Sequence, residues 1–332
     1  MLRLINNLTK NILKGNDISF DDAIHISKIT EQKDIVSLIS LANIIRFEFK
    51  GLVIDTCAII NAKSGQCGED CKFCSQSSHY HTDIEKYPLV EKETILEKAK
   101  DAININANRF GIVVSGRDAN NINDLKTICN AIEDITSDLM ISGCASLGVL
   151  TEETALTLKK AGLKRYHHNL ETAESFFPNV CTTHSYKERV NTVKIAKKTG
   201  FEVCCGGIFG IGESQTQRVE FAFALKELNV DSIPLNFLNP YPGTPLDNAD
   251  PIHPMDILKI IAIFRFIHPT KDIRICGGRQ KNLRNTQALM YLAGANAVMI
   301  GDYLTVPGSD PVEDLQLIED LMLIPRSKNI SQ

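Results

Sequence analysis

Between residues 52 and 302 the chain repeats one alternation: a short run of β-branched or small residues, then a longer amphipathic segment with apolar positions at helical spacing. The short runs are LVIDT (52–56), FGIVVSG (110–116), LMISGCASLG (139–148), RYHHNLET (165–172), EVCCGGIFG (202–210), SIPLNFLNP (232–240), IRICGG (273–278) and AVMIGD (297–302). Between them lie segments such as TILEKAKDAINI, NDLKTICNAIEDI, YKERVNTVKIAKKTG and MDILKIIAIFRFI, several of which stop at Gly or before Pro. Eight strands separated by helices over about 250 residues fit an α/β fold of the TIM-type (βα)8 barrel, with a doubly wound open sheet as the alternative. Ahead of it, Leu2, Ile5, Leu8, Ile12 and Leu13, and then the run IVSLISLANIIRFEF, read as helices, with Asp17 or Ser19 as the cap of the middle piece. The expected organisation is an N-terminal helical segment (1–48), a barrel (49–320) and a C-terminal tail (321–332) whose last stretch, SKNISQ, frays.

Composition narrows the class. The 332 residues are 43% hydrophobic and 23% charged, ordinary globular usage, and the formal net charge of −4 provides no basic field for nucleic acid or an anionic membrane surface. The N-terminal MLRLINNLTKNILKGND lacks the apolar core and cleavage site of a secretory signal, and no run reaches the roughly 18 apolar residues of a spanning helix. A cytoplasmic protein without membrane partners is expected. Its ten cysteines then point to metal or redox chemistry more than to a disulfide framework, with some left as core residues.

The most informative cysteines follow the first strand. AKSGQCGEDCKFCSQSS sets Cys67, Cys71 and Cys74 in a C-x3-C-x2-C arrangement, at the barrel end where active sites are built. Three soft thiolates suit either zinc or iron–sulfur; zinc would want a fourth ligand, and His79 and His81 are close in sequence. Four irons on three cysteines would instead leave one iron open for a chelating molecule. The spacing, with the aromatic Phe73 just before the third cysteine, is the signature of radical S-adenosylmethionine enzymes. In these the open iron of a [4Fe-4S] cluster takes the cofactor's amino and carboxylate groups, and an electron passed into the sulfonium releases a 5′-deoxyadenosyl radical. A barrel mouth closed by loops would keep that radical from water.

From about residue 50 to 320 the chain resembles the biotin synthase family. The resemblance is carried by NAKSGQCGEDCKFCSQSSHY, YHHNLET, YKERVNTVKIAKKTGFEVCCGGIFGIGES, PLNFLNPYPGTPL, IRICGGRQ and LMYLAGANAVMIGDYLT. It implies conversion of dethiobiotin to biotin, an electron-donor protein such as flavodoxin or ferredoxin, a homodimer, and a second, auxiliary cluster deep in the barrel that provides the sulfur. The family's usual auxiliary cluster is [2Fe-2S], held by three cysteines and an arginine. Two of those cysteines map onto Cys144 and Cys204 and the arginine onto Arg274. The third position is Gly111, which cannot bind iron. Cys276 lies two residues beyond Arg274, and alternation along a strand turns both to one face, making it the preferred replacement. Cys205, directly after Cys204, would face the helices unless a bulge turns it inward. Altered ligands imply an altered centre, a four-iron cluster with an extra sulfide. Cys57 and Cys129 are expected to be packing residues.

The same resemblance maps Asn169 and Glu171 onto contacts with substrate and cofactor ribose, and Asn236 onto a substrate contact. The family more often has Asp where Glu171 stands. Ser115, Gly116 and Arg117 border the cofactor or simply form a turn, while His167 and His168 are expected to be structural or substrate-lining. Two competing functions remain: a hydrogenase-maturation or methylornithine-forming enzyme on the same barrel, or a protein whose first three cysteines clamp zinc.

Overall fold

The structure is a computed structural model, and it describes residues 1–119 and 121–326. The expected frayed end, SKNISQ, lies outside the described residues. Three helices open the chain, α1 (Leu2–Leu13), α2 (Phe20–Ser27) and α3 (Gln32–Lys50). Of the two expected caps for α2, Ser19 is the one used, its hydroxyl accepting from the Asp22 amide at 3.1 Å, while Asp17 pairs with Lys226.

The barrel strands follow: β1 (Val53–Lys63), β2 (Arg109–Val114), β3 (Ser142–Ser146), β4 (Arg165–His167), β5 (Glu202–Cys204) continued by β6 (Gly207–Phe209), β7 (Ser232–Phe237), β8 (Asp272–Ile275) and β9 (Ala297–Met299). All pair in parallel with their neighbours, and Asp55, Thr56 and Cys57 pair with Ala297, Val298 and Met299 to close the ring. The closed barrel, not the open sheet, is therefore the fold. Helices α4 (Lys92–Asn104), α5 (Ile122–Ser137), α6 (Glu152–Lys160), α7 (Tyr186–Lys198), α8 (Gln215–Glu227) and α9 (Pro254–Ile267) lie between strands. The short α10 (Arg279–Leu283) and α11 (Leu289–Leu292) precede β9, and α12 (Pro311–Asp320) leads to β10 (Ile324–Pro325). Reciprocal capping boxes at Ser185/Glu188 and Ser214/Gln217 fix where α7 and α8 begin.

Two strands differ from expectation. LVIDT is only the start of β1, which runs on to Lys63 because CAIINAK keeps the alternation and meets no turn residue before Ser64 and Gly65. EVCCGGIFG is broken after Cys204. The amides of Leu170 and Glu171 both turn to the Gly206 carbonyl, and Glu171 takes a left-handed φ of 71°. A side chain at Gly206 would collide with the Pro234 carbonyl, and one at Gly207 with that of Glu171, so this crossing needs glycine.

From Ile257 to its last residue, Ile267, α9 is buried without a break. Its outer side is covered by α2 and α3, which explains the N-terminal extension: without it an all-round apolar helix would face water. Lys259 reaches the Ile29 carbonyl at 3.0 Å across this seam. The floor of the barrel is tied by Asp55, whose carboxylate pairs with Arg274, with Arg109 at 3.2 Å and with Arg326 at 3.3 Å, the last just past β10. Burial alone would raise its pKa, but the guanidinium groups of Arg274, Arg109 and Arg165 outweigh this and hold it far below the usual carboxylate range.

A carboxylate with a depressed folded pKa stabilises fully above its unfolded value and loses that contribution as pH falls through the folded one. Asp55→Asn should therefore cost about 3–5 kcal/mol at neutral pH by leaving buried arginines unpaired. In denaturant titrations the gap between variant and parent should hold above about pH 4 and narrow below it; a pH-independent gap would contradict this.

Candidate active site

A cavity of about 460 Å³ descends from the cysteine loop to the barrel floor. Its roof is built where β1 ends. Gly65 and Gln66 both take positive φ, 73° and 56°, and turn the chain off the strand. The loop then folds on itself: the Cys67 amide donates to the Gln76 carbonyl at 3.1 Å, the Ser78 amide to the Cys67 carbonyl at 2.7 Å, and the Gln76 side chain accepts from the Gly65 amide at 3.1 Å. These bonds bring Cys67, Cys71 and Cys74 to one side, where all three line the cavity beside Phe73. His79 is held by the Gly68 carbonyl at 3.0 Å, and neither His79 nor His81 borders the cavity.

A segment far along the chain fixes the loop. Asp70 accepts from the amides of Thr182 and Thr183 at 2.8 and 3.2 Å, and Glu69 meets the His184 ring at 2.5 Å and Arg117 at 3.1 Å. Arg189 donates to His184 Nε2 at 2.8 Å, which assigns the ring proton to Nδ1, facing Glu69. Cys181 lies within hydrogen-bond reach of Asp70 at 3.1 Å and His184 at 3.2 Å. The thiol of Cys71 also meets Cys181; that contact, together with burial, pushes Cys71 up, and the same contact pulls Cys181 down to about 4 against the opposing effect of burial. Nothing in the motif pattern singles out this VCTTHSYKER stretch, because its partners are more than 100 residues away.

Ser115 holds the loop from the second strand, its hydroxyl donating to the Gly65 carbonyl at 2.7 Å. Gly116 lines the cavity with a φ of 128°. Arg117 is spent on Glu69 and Glu188. Deeper, Asn169 donates to Glu171 at 3.2 Å and accepts from the Gly206 amide at 3.1 Å. Asn236 donates to the Gly207 carbonyl at 3.1 Å and accepts from the Gly277 amide at 3.0 Å. Arg189 stands 3.6 Å from the Glu171 carboxylate. His167 and His168 line the cavity, and the Nε2 of His168 has no hydrogen-bond partner.

At the floor, Cys144, Cys204, Arg274 and Cys276 all reach the cavity, as does Gly111. Burial raises the Cys204 thiol, but the His167 ring and the charges of Arg165 and Arg274 overcome it and bring it down to about 7. Burial and the neighbouring Cys204 push Cys144 up to about 12. Cys205 stands apart: fully buried and absent from the cavity lining, it packs in the hydrophobic core, on the helix side of the strand. Cys129 packs in the core under α5. Cys57, expected in the core, instead lines the cavity. So do Arg109 and Arg165, whose places are readable only by counting the alternation back from Gly111 and His167.

The donor sets suit clusters better than single ions. Thiolates on one tetrahedral zinc lie roughly 3.8 Å apart. Among the described residues, the one group of three donors drawn within 4.8 Å is Cys71, Cys181 and His184, not the three loop cysteines. On the floor, three guanidinium groups surround the thiols and can balance a negative, thiolate-ligated centre.

The comparisons agree with this anatomy. Residues 63–234 match the model of the radical SAM superfamily, and residues 234–324 that of the biotin and thiamin synthesis associated domain. The biotin synthase of Geobacter sulfurreducens is 49% identical, covering 99% of this chain and 100% of that one; that of Geotalea uraniireducens is 49% identical, covering 97% and 98%. Among solved structures, methylornithine synthase superposes with a TM-score of 0.83 at 19% identity, over 96% of this chain and 97% of that one. The FeFe-hydrogenase maturase HydG of Carboxydothermus hydrogenoformans does so with 0.82 at 18%, over 98% and 80%. At such identities these two show the shared barrel alone. No described helix is long and apolar enough to cross a membrane. With relatives 49% identical over nearly its whole length and both family models matched in sequence, the chain belongs to the biotin synthase family.

Proposed function

We propose that the chain inserts sulfur into dethiobiotin to form biotin, using S-adenosylmethionine at the barrel mouth and a second iron–sulfur centre at the floor. The observation that carries this is one continuous cavity with thiols at both ends and amide side chains between them. Cys67, Cys71 and Cys74 would hold the outer [4Fe-4S] cluster; Cys144, Cys204 and Cys276, with Arg274 beside them, would hold the inner one, to which we assign four irons because its ligand set is changed, Cys276 standing in for the ligand missing at Gly111. When bound, the outer cluster with its cofactor supplies the hydrogen-abstracting radical and the inner cluster supplies the sulfur.

The chain's own residues bind, orient and exclude water. Glu171, its carboxylate steadied by Asn169 and Arg189, faces the space for vicinal ribose hydroxyls. In Asn169 and Asn236 each amide nitrogen keeps a second hydrogen and each oxygen a second lone pair, suited to the N–H and carbonyl groups of a cyclic urea. Ile59, Val113, Val149 and Met299 line the walls and leave water few partners. Cys205, on the helix side, is left out of the ligand set. The same reading gives the protein a homodimeric state and a flavodoxin or ferredoxin as reductant.

Anaerobic turnover with dethiobiotin, S-adenosylmethionine and a reductant should yield biotin together with 5′-deoxyadenosine, and fully loaded protein should carry about eight irons per chain. Biotin without deoxyadenosine would contradict the mechanism, deoxyadenosine without biotin would favour another substrate, and six irons would return the inner cluster to two. Glu171→Gln should raise the KM for S-adenosylmethionine roughly tenfold or more, the scale of a lost charge-assisted hydrogen bond, with Glu171→Asp recovering most of it; an unchanged KM would remove Glu171 from the ribose site.

A further inference from the structure

We infer that Cys57 is a ligand of the deep cluster, supplying a fourth thiolate where the family pattern has arginine; this rests on the auxiliary-cluster reading above. Register places it there. On the parallel strands β8, β9 and β1, Arg274 pairs with Ala297 and Ala297 with Asp55, so these three share a level, and the Arg274 guanidinium crosses the interior to the Asp55 carboxylate. Two residues further along each strand, Cys57 pairs with Met299, and Cys276, the residue after the Ile275–Val298 pair, stands at the same level. Alternation turns Cys57 to the face of Asp55 and Cys276 to the face of Arg274, both inward. With one strand between them their backbones are roughly 10 Å apart, a span that two inward-pointing cysteine side chains narrow around a shared centre.

The surroundings agree. Cys57 lines the same cavity as Cys144, Cys204, Cys276 and Arg274, so it stands among the other three thiols. Unlike Cys129, it belongs to no hydrophobic cluster and borders the cavity instead. Arg274 is committed elsewhere: besides Asp55 it donates to the Val298 carbonyl at 3.1 Å, and a charged guanidinium has no lone pair for iron. Position 111 cannot easily regain a sulfur, since a side chain there would begin 3.1 Å from Ile59 Cγ2. Ile59 is the next inward residue after Cys57, so one strand both fills the space beside Gly111 and brings in a thiol. On binding iron the Cys57 thiol gives up its proton, and Arg274, Arg109 and Arg165 remain to balance the charge.

The test uses the full chain with Cys67, Cys71 and Cys74 replaced by Ala, so that iron taken up under anaerobic reconstitution reports the deep site alone. Iron and sulfide are assayed and Mössbauer spectra recorded for this background, and for it with Cys57→Ala, Cys57→Ser or, as control, Cys129→Ser. We expect about four irons per chain in the background and the control, and a fall to about two or fewer, or a changed site pattern, in both Cys57 variants. Circular dichroism identifies a variant that fails to fold, in which case the near-isosteric Cys57→Ser decides. Unchanged iron and unchanged spectra in folded Cys57→Ser would overturn the inference while leaving the deep cluster intact. A background that takes up no iron would instead overturn the auxiliary-cluster reading itself, and this inference with it.

Discussion

The buried ion pair between Asp55 and Arg274 organises the lower half of the molecule. A lone carboxylate at that depth would be costly, and so would a lone guanidinium; together they join strands on either side of β9. Arg109 and Arg326 converge on the same carboxylate, and Arg165 adds its field. The result is a floor with more positive than negative fixed charge, beneath a set of cysteines. Thiolates need that compensation more than neutral thiols do, so the electrostatics and the proposed ligands favour the same chemistry.

The upper half relies on hydrogen bonds of long sequence separation. A glycine-led turn sends the cysteine loop off β1, but its position is set by residues 181–189, through Asp70, Glu69, His184 and Arg189. Arg189 also donates to the Asn169 carbonyl at 3.0 Å, so the loop and the fourth-strand end share one anchor. The two ends of the cavity are thus built differently: one carboxylate ringed by guanidinium groups below, and above a mixed net of ion pairs and backbone-directed hydrogen bonds.

Much of this could be read from residue order alone. The βα alternation located every barrel strand, and the C-x3-C-x2-C loop announced its chemistry. What escaped were features that depend on neighbours. Counting alternation from Arg274 put Cys276 on the inner face and Cys205, counted from Cys204, on the outer one, and both stand there. The same count failed for Cys57 only because the first strand was ended at Thr56, which left that residue with no face at all. The break after Cys204 follows from a backbone crossing that no local pattern encodes. Anchoring by the VCTTHSYKER stretch is invisible for the same reason.

Helix α9 carries a consequence for the order of assembly. During synthesis α1 to α3 leave the ribosome first, yet the surface they cover arrives only after β7 has been made. The closing partner of β1 comes later still. Until then the early helices have exposed apolar flanks and the first strand an unpaired edge, a state that favours slow, non-local folding and chaperone capture. Metal delivery to the deep site would then have to follow, or accompany, the last steps of chain closure.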